Sequence, residues 1–160
     1  GGRRWPALVA GVTRWPERRI VAVQTTPLAE PGVKAWSKPS RITRGDHRTG
    51  AVRLSPWAEG RPVDLVEGTE DGLAVLNVLP GETVWAVLGT SNAATVVLPD
   101  AADVVFVLDN DRAGRWAMAV ASAAQVEMGH AVRIAELPEG LDPLDRLLAE
   151  RAALAAAGAA

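Results

Sequence analysis

The stretch from Val104 to Gly114 constrains the fold of this chain more than any other. Five apolar residues, Val-Val-Phe-Val-Leu, lead directly into Asp109-Asn110-Asp111. An uninterrupted apolar run of this length is typical of a strand buried on both faces. The two aspartates then stand at the carboxyl end of that strand, where open α/β sheets bind their ligands. A plain strand-to-helix turn with Asp111 as the helix cap explains the same residues, so the motif alone does not decide the function.

The spacing of the two aspartates favours a metal ion. Residues two apart in an extended chain point the same way, so Asp109 and Asp111 can aim at one point. Neighbouring carboxylates repel each other unless a cation lies between them. Oxygen ligands without Cys or a nearby His suit Mg²⁺ or Mn²⁺ better than Zn²⁺.

Strand and helix patterns alternate downstream of Pro62. This alternation predicts an α/β fold with a parallel sheet of about four strands, right-handed crossovers and helices on both faces. We expect Thr69 to cap the first helix and Gly129 to end the long one. The predicted strands are 63–66, 83–88, 104–108 and 131–135, and the predicted helices are 69–79, 112–128 and 142–156, with a polar loop at 89–92 and a short helical turn before Pro99.

The first part of the chain has a different pattern. Two strand-like runs at 7–12 and 19–26 flank a turn at 15–18 and predict a hairpin. A segment rich in Pro and Gly follows, and then short strands at 41–43 and 51–54. We therefore predict a basic β-rich subdomain over 1–61, an α/β domain over 62–156 and a frayed tail over 157–160.

The charge is divided unevenly between these two parts. Residues 1–61 carry twelve Lys and Arg against four Asp and Glu, whereas residues 62–160 carry five against fifteen. A polyanion contact on one side and a cation site on the other would explain this division. Mutual attraction between two subdomains of one globule explains it equally well.

Missing residue types exclude several kinds of chemistry within this chain. There is no Cys, which excludes disulfides and a zinc ribbon, and no Tyr, which excludes a tyrosyl–DNA intermediate. The chain contains no run of 18 apolar residues, so no membrane span is predicted. A cytoplasmic protein without a membrane partner is the expectation.

Acidic residues follow three of the four predicted strands of the sheet. Glu67 follows the first, Asp109 and Asp111 the third and Asp142 the fourth, so all can converge on one edge. Asp71 lies four residues after Glu67 and returns to the same helix face. Such a cluster suits divalent-metal phosphoryl transfer, because the metal neutralises phosphate charge and a free carboxylate can move a proton.

These residues resemble the motifs of the Toprim domain, which topoisomerases, bacterial-type primases, OLD-family nucleases and recombination proteins share. Residues 65–71 resemble its strand, Glu-Gly and helix motif. Residues 108–114 resemble its Asp-x-Asp motif, with the Ala-Gly that is typical of primases, and 137–143 resemble a primase motif that supplies further acids. Bacterial primases usually place a third acid after that Asp-Pro, where this chain has Leu144 and then Asp145. The loop 88–92 and the β-rich part also resemble phage and plasmid primases and primase-helicases.

The resemblance implies DNA-templated synthesis of RNA primers by metal-dependent nucleotidyl transfer. Glu67 would be the general acid/base or a ligand of a second metal, and Asp109 and Asp111 would hold the catalytic Mg²⁺ or Mn²⁺. Asp71 and Asp142 would complete a wider metal cluster. The partners would be a single-stranded DNA template, nucleotide triphosphates and a helicase domain or subunit outside this chain. Candidate nucleic-acid contacts are the arginines of the first part, namely Arg41, Arg44, Arg48, Arg53 and Arg61.

Two other functions use the same features. A Toprim-type metal-dependent nuclease acting on DNA or RNA would need the same acids. A catalytically inactive module that binds nucleic acid or protein would need none of the metal chemistry. The tryptophans of the first part also have two interpretations, because they can stack on bases or form the core of a small β module; they are Trp5, Trp15, Trp36 and Trp57.

Overall fold

A computed structural model of the chain describes residues 5–29, 34–35, 39–108, 112–135, 140, 143–144, 146–147 and 149. As the sequence predicts, strands come first along the chain, and strands and helices then alternate. In chain order they are β1 (Ala7–Thr13), β2 (Ile20–Pro27), β3 (Ile42–Gly45), β4 (Val52–Arg53), β5 (Val63–Val66), α1 (Thr69–Val78), β6 (Thr83–Ala86), α2 (Thr90–Ala93), β7 (Asp103–Val107), α3 (Arg112–Glu127) and β8 (Ala131–Ile134).

The strands form two sheets. β1, β2 and β3 make an antiparallel sheet in that order, so the predicted hairpin is confirmed. The second sheet has the order β4-β6-β5-β7-β8, and its last four strands are parallel, which confirms the predicted α/β fold. β4 pairs antiparallel with β6 at the edge. It belongs to the second sheet although the sequence analysis groups it with the first part of the chain.

The parallel sheet is covered on both faces. Because alternate residues of its central strands point to opposite sides, each strand contributes to two core clusters. Val63, Leu65 and Phe106 face one core cluster, which includes Met118 and Ala121 of α3. Residues one position along each strand face a second cluster. Its members are Val66, Val84, Ala86 and Val107 of the parallel sheet, Val75 of α1, Val52 of β4 and Ala10, Val12 and Ala22 of the antiparallel sheet.

The ends of several elements follow from backbone conformation. α3 stops before Gly129, whose φ of 91° is in the left-handed region, as predicted. β6 is shorter than predicted because Leu88 and Gly89 have φ values of 62° and 132°. α2 occupies the stretch for which a polar loop was predicted. Most of the predicted terminal helix 142–156 lies outside the described residues.

One predicted helix cap is wrong. The N-cap of α1 is Gly68, in extended conformation, and Thr69 is the first helical residue. The Thr69 hydroxyl instead lies 3.5 Å from Oε1 of the buried Gln24 on β2. None of the helices in the described part of the chain has the length and hydropathy needed to cross a membrane.

Candidate metal centre

The carboxyl ends of the parallel strands meet at one edge of the sheet, as the metal hypothesis requires. Val66 at the end of β5 pairs with Val107 at the end of β7 and with Ala86 of β6. Glu67 therefore lies beside Leu108, which immediately precedes Asp109, and neighbouring strands are about 4.8 Å apart. Glu67 is at the predicted edge, whereas Asp109, Asp111 and Asp142 lie outside the described residues.

Hydrogen bonds beyond the strand ends hold the backbone of Glu67 in place. Its carbonyl oxygen accepts a hydrogen bond of 2.9 Å from the Leu88 N–H, and the Val66 carbonyl accepts one of 3.0 Å from Val87. The hydrogen bonds between these two segments thus continue to Glu67, one residue past β5, and to Leu88, two residues past β6. The half-buried Glu67 is consequently carried on rigid backbone at the sheet edge.

Asp71 caps the helix that follows Glu67. Its Oδ2 accepts a hydrogen bond of 3.0 Å from the Gly68 N–H, and the residue is buried. A negative charge here is favoured by the positive end of the helix dipole. A Cβ added to Gly68 would lie 2.6 Å from the same oxygen, which explains why glycine follows Glu67. Asp71 therefore has a structural role that does not require a metal.

Basic residues from the first part of the chain contact the same end of α1. Arg41 Nη2 lies 3.2 Å from Glu70 Oε2, and Arg41 Nε donates to Oε1 at 3.3 Å. Lys34 Nζ is 3.5 Å from Oε1 of the same glutamate. Glu70 is not among the residues predicted for the site, although the uneven charge of the chain indicated contacts of this kind. Attraction between the first part of the chain and α1 thus accounts for part of the uneven charge.

The remaining predicted nucleic-acid arginines are on different segments and have different surroundings. Arg48 makes two hydrogen bonds to the Asp46 carboxylate, of 2.8 and 3.2 Å, and these bonds hold the pKa of Asp46 well below its usual range. Arg53 is half-buried between tryptophan rings. Arg44 and Arg61 are exposed. Of the five, Arg41 and Arg48 already bind acids of this chain.

Asn92 is a positioning residue that the sequence analysis did not single out. Its Nδ2 donates to the carbonyl oxygens of Gly50 and Val87, both at 2.8 Å, and its Oδ1 accepts from the Thr49 N–H at 2.8 Å. The side chain is buried and joins the segment before β4 to the end of β6. It therefore stabilises the backbone that pairs with Glu67.

Comparison with known proteins identifies the family. A Toprim domain model matches residues 63–153, which is more than half of the chain, and the chain therefore belongs to the Toprim family. No curated protein matches it significantly. The match confirms the resemblance that the Glu-Gly and Asp-x-Asp motifs suggest.

Several solved primase structures share the fold. The zinc-binding and RNA polymerase domains of Aquifex aeolicus primase are 24% identical, with a TM-score of 0.59, over 90% of this chain and 37% of that one. The primase fragment of the bacteriophage T7 primase-helicase protein is 22% identical, with a TM-score of 0.57, over 89% and 60%. The RNA polymerase domain of Mycobacterium tuberculosis primase is 20% identical, with a TM-score of 0.58, over 92% and 53%. The chain thus spans less than two thirds of each of these proteins.

Proposed function

We propose that this chain is the catalytic Toprim core of a primase, which joins nucleotides into an RNA primer on a single-stranded DNA template. The observation that supports this most is the register of the sheet. Val66 pairs with Val107, so Glu67 follows β5 at the edge of the sheet where β7 also ends, and Asp109 comes two residues after β7 in the sequence. Carboxylates that follow adjacent parallel strands suit the binding of nucleotide phosphates through a divalent ion.

The donor set fits Mg²⁺ or Mn²⁺. Asp109, Asp111 and Glu67 would hold the ion, and Asp71 and Asp142 would extend the cluster. All are hard oxygen donors in a chain without Cys. When bound, the ion would neutralise the charge of the nucleotide triphosphate. The described residues contain no group of three such side chains, and Asp109, Asp111 and Asp142 lie outside them.

The chain's own residues would perform the remaining tasks. Glu67, which stands on backbone paired with Leu88, would accept or return the proton of the attacking 3′-hydroxyl. The exposed Arg44 and Arg61 are better candidates for template or primer phosphates than Arg41 and Arg48, which already contact Glu70 and Asp46. The helicase that unwinds the template would be a domain or subunit outside this chain.

A primer-synthesis assay tests the proposal. The protein is incubated with single-stranded DNA, labelled nucleotide triphosphates and Mn²⁺, and we expect short RNA chains. Glu67→Gln and Asp109→Asn should reduce the product at least a hundredfold, because each removes a charge from the proposed site. The matched controls Glu127→Gln and Asp100→Asn change exposed acids elsewhere and should leave the yield unchanged.

The same assay separates the alternatives. A shortened template without RNA chains would identify a Toprim-type nuclease. Neither product, together with no Mn²⁺-dependent rise in melting temperature, would identify an inactive nucleic-acid- or protein-binding module. A melting temperature that rises with Mn²⁺ in the wild type but not in Asp109→Asn would locate the metal at the proposed edge.

A further inference from the structure

A pocket of about 390 Å³ opens beside β4, away from the carboxyl edge. Among the described residues its walls include Trp15, Trp57, Arg18, Arg53 and Pro56, with no carboxylate. The Ser55 hydroxyl next to it donates to the Glu82 carbonyl at 2.8 Å and accepts from the Val84 N–H at 2.8 Å. These contacts place the pocket near the start of β6, whereas Glu67 lies beyond the end of the neighbouring parallel strand.

The two tryptophans of the pocket are held rigidly but only half-buried. Trp15 and Trp57 make an edge-to-face contact, with ring centroids 5.5 Å apart and an interplanar angle of 75°. Trp15 also lies 5.9 Å from the fully buried Trp85, and Trp57 Nε1 donates to the Arg61 carbonyl at 3.2 Å. Both rings pack on one side against the core cluster that contains Trp85, and their exposed parts line an open pocket.

Two arginines make the pocket positive. The Arg53 guanidinium lies 5.6 Å from the Trp15 ring centroid and 5.5 Å from that of Trp85, and it donates to the Glu17 carbonyl oxygen. Arg18 is exposed at the rim. Burial and the charge of Arg18 lower the pKa of Arg53, yet an arginine stays protonated at neutral pH. Fixed aromatic rings beside paired cations suit a ligand with both an aromatic ring and a negative charge.

We propose that this pocket is a second nucleic-acid site, in which a base of a single strand stacks on the Trp57 ring beside Trp15 while Arg18 and Arg53 contact its phosphates. Stacking platforms beside positive charge are how proteins bind single strands without reading their sequence. The volume is in the range of small-ligand pockets, which begins at about 300 Å³. The choice of nucleic acid as ligand rests on the proposed function, but the site itself does not use the metal edge.

Binding of a labelled 12-nucleotide oligo-dT, followed by fluorescence anisotropy in EDTA, tests the proposal without metal chemistry. Trp57→Ala should weaken binding about tenfold, since base stacking contributes on the order of 1–3 kcal/mol per base. Trp57→Phe should keep most of the affinity. Arg18→Gln should reduce the slope of log affinity against log salt by about 0.7, the loss of one phosphate contact to a single strand. Trp116→Ala, which removes the 74% exposed tryptophan of α3, is the matched control and should bind as the wild type does.

The outcomes separate this site from the catalytic proposal. The proposal would be overturned, even if primers are made, if Trp57→Ala and Arg18→Gln bound the oligonucleotide as the wild type does. An equal loss of affinity in Trp116→Ala would also overturn it. Reduced binding in Trp57→Ala would support it even if no primer appears. Preference for a proline-rich peptide over oligo-dT would also overturn it. If circular dichroism shows that Trp57→Ala is unfolded, the Arg18→Gln salt slope decides.

Discussion

At the scale of single residues, side chains whose partners are distant in sequence escaped prediction. Asn92 binds Thr49 and Gly50, more than 40 residues away, and Arg41 binds Glu70, 29 residues away. No local pattern marks such pairs. The Glu-Gly motif, by contrast, could be recognised because its constraint is local, with Gly68 giving room to the Asp71 carboxylate.

Asp64 provides a pH prediction at this scale. It is only 7% exposed and lines a cavity of about 350 Å³ with Val75, Val78 and Val105. Burial raises its pKa to about 6, with smaller contributions from nearby charges: Glu82 and Asp103 raise the value and Arg133 lowers it. Because the folded state then binds more protons than the unfolded state, the contribution of Asp64 to stability is present below about pH 4 and is lost as pH rises to about 6.

Asp64→Asn should remove this pH dependence. At pH 7 the variant should be more stable than the wild type by roughly 3 kcal/mol, the cost of a shift of about two pKa units, and at pH 4 the difference should vanish. Urea unfolding of both proteins at several pH values measures it. Asp100→Asn, at an exposed position, should show no such trend. A difference that does not change with pH would show that Asp64 ionises freely in the folded protein.

Asn92 gives a second residue-scale prediction. Asn92→Asp replaces the side-chain NH₂ group, which donates two hydrogen bonds, with an oxygen that faces the carbonyl oxygens of Gly50 and Val87. We expect a loss of about 3 kcal/mol in the free energy of unfolding at pH 7, since buried polar groups lose their partners. Asn92→Ala should lose somewhat less because it adds no repulsion. Chemical denaturation checks both, and equal stability of Asn92→Asp and wild type would contradict the hydrogen-bond assignment.

At the scale of elements, prediction succeeded where the signal was periodic or continuous. The apolar runs of β5 and β7 and the long α3 were confirmed with errors of at most one residue at each end. The short β4 was recognised as a strand but not placed in its sheet, because two residues do not specify their partner strand. The cap of α1 was assigned wrongly because a Thr and an Asp both stand in its first turn, and only the fold selects Asp71.

Close packing of α1 on the sheet gives an element-scale prediction. A Cβ at Gly72 would lie 2.3 Å from Leu54 Cδ1, 3.1 Å from Val66 Cγ2 and 3.2 Å from Val84 Cγ1. Gly72→Ala should therefore lose about 1–3 kcal/mol to overpacking, partly offset by a gain of about 1 kcal/mol in helix propensity. Combining it with Leu54→Ala should relieve the clash. A double-mutant cycle by urea unfolding measures the coupling, and additive effects would mean that the helix can shift instead.

At the scale of the whole molecule, the two sheets share one core cluster. Ala10, Val12 and Ala22 of the antiparallel sheet pack with Val66 and Val84 of the parallel sheet. The ion pairs of Glu70 with Arg41 and Lys34 add to this contact. The boundary between 61 and 62 stays a prediction, and β4 crosses it by pairing with β6. A sequence pattern shows which face of a strand is apolar but not which distant face covers it.

Val12 tests whether the two sheets unfold together. It is fully buried, so Val12→Ala should lower the free energy of unfolding by about 2 kcal/mol through lost burial and the cavity left behind. The matched control is Val9→Ala on the same strand, where the side chain is 62% exposed and the change should be within about 0.5 kcal/mol. Because the cluster joins both sheets, amide hydrogen exchange should accelerate equally in β2 and in β7. Faster exchange confined to β1, β2 and β3 would instead mean that the antiparallel sheet opens alone. In that case, the contacts of Glu70 with Arg41 and Lys34 could break while the carboxyl edge that carries Glu67 stays intact.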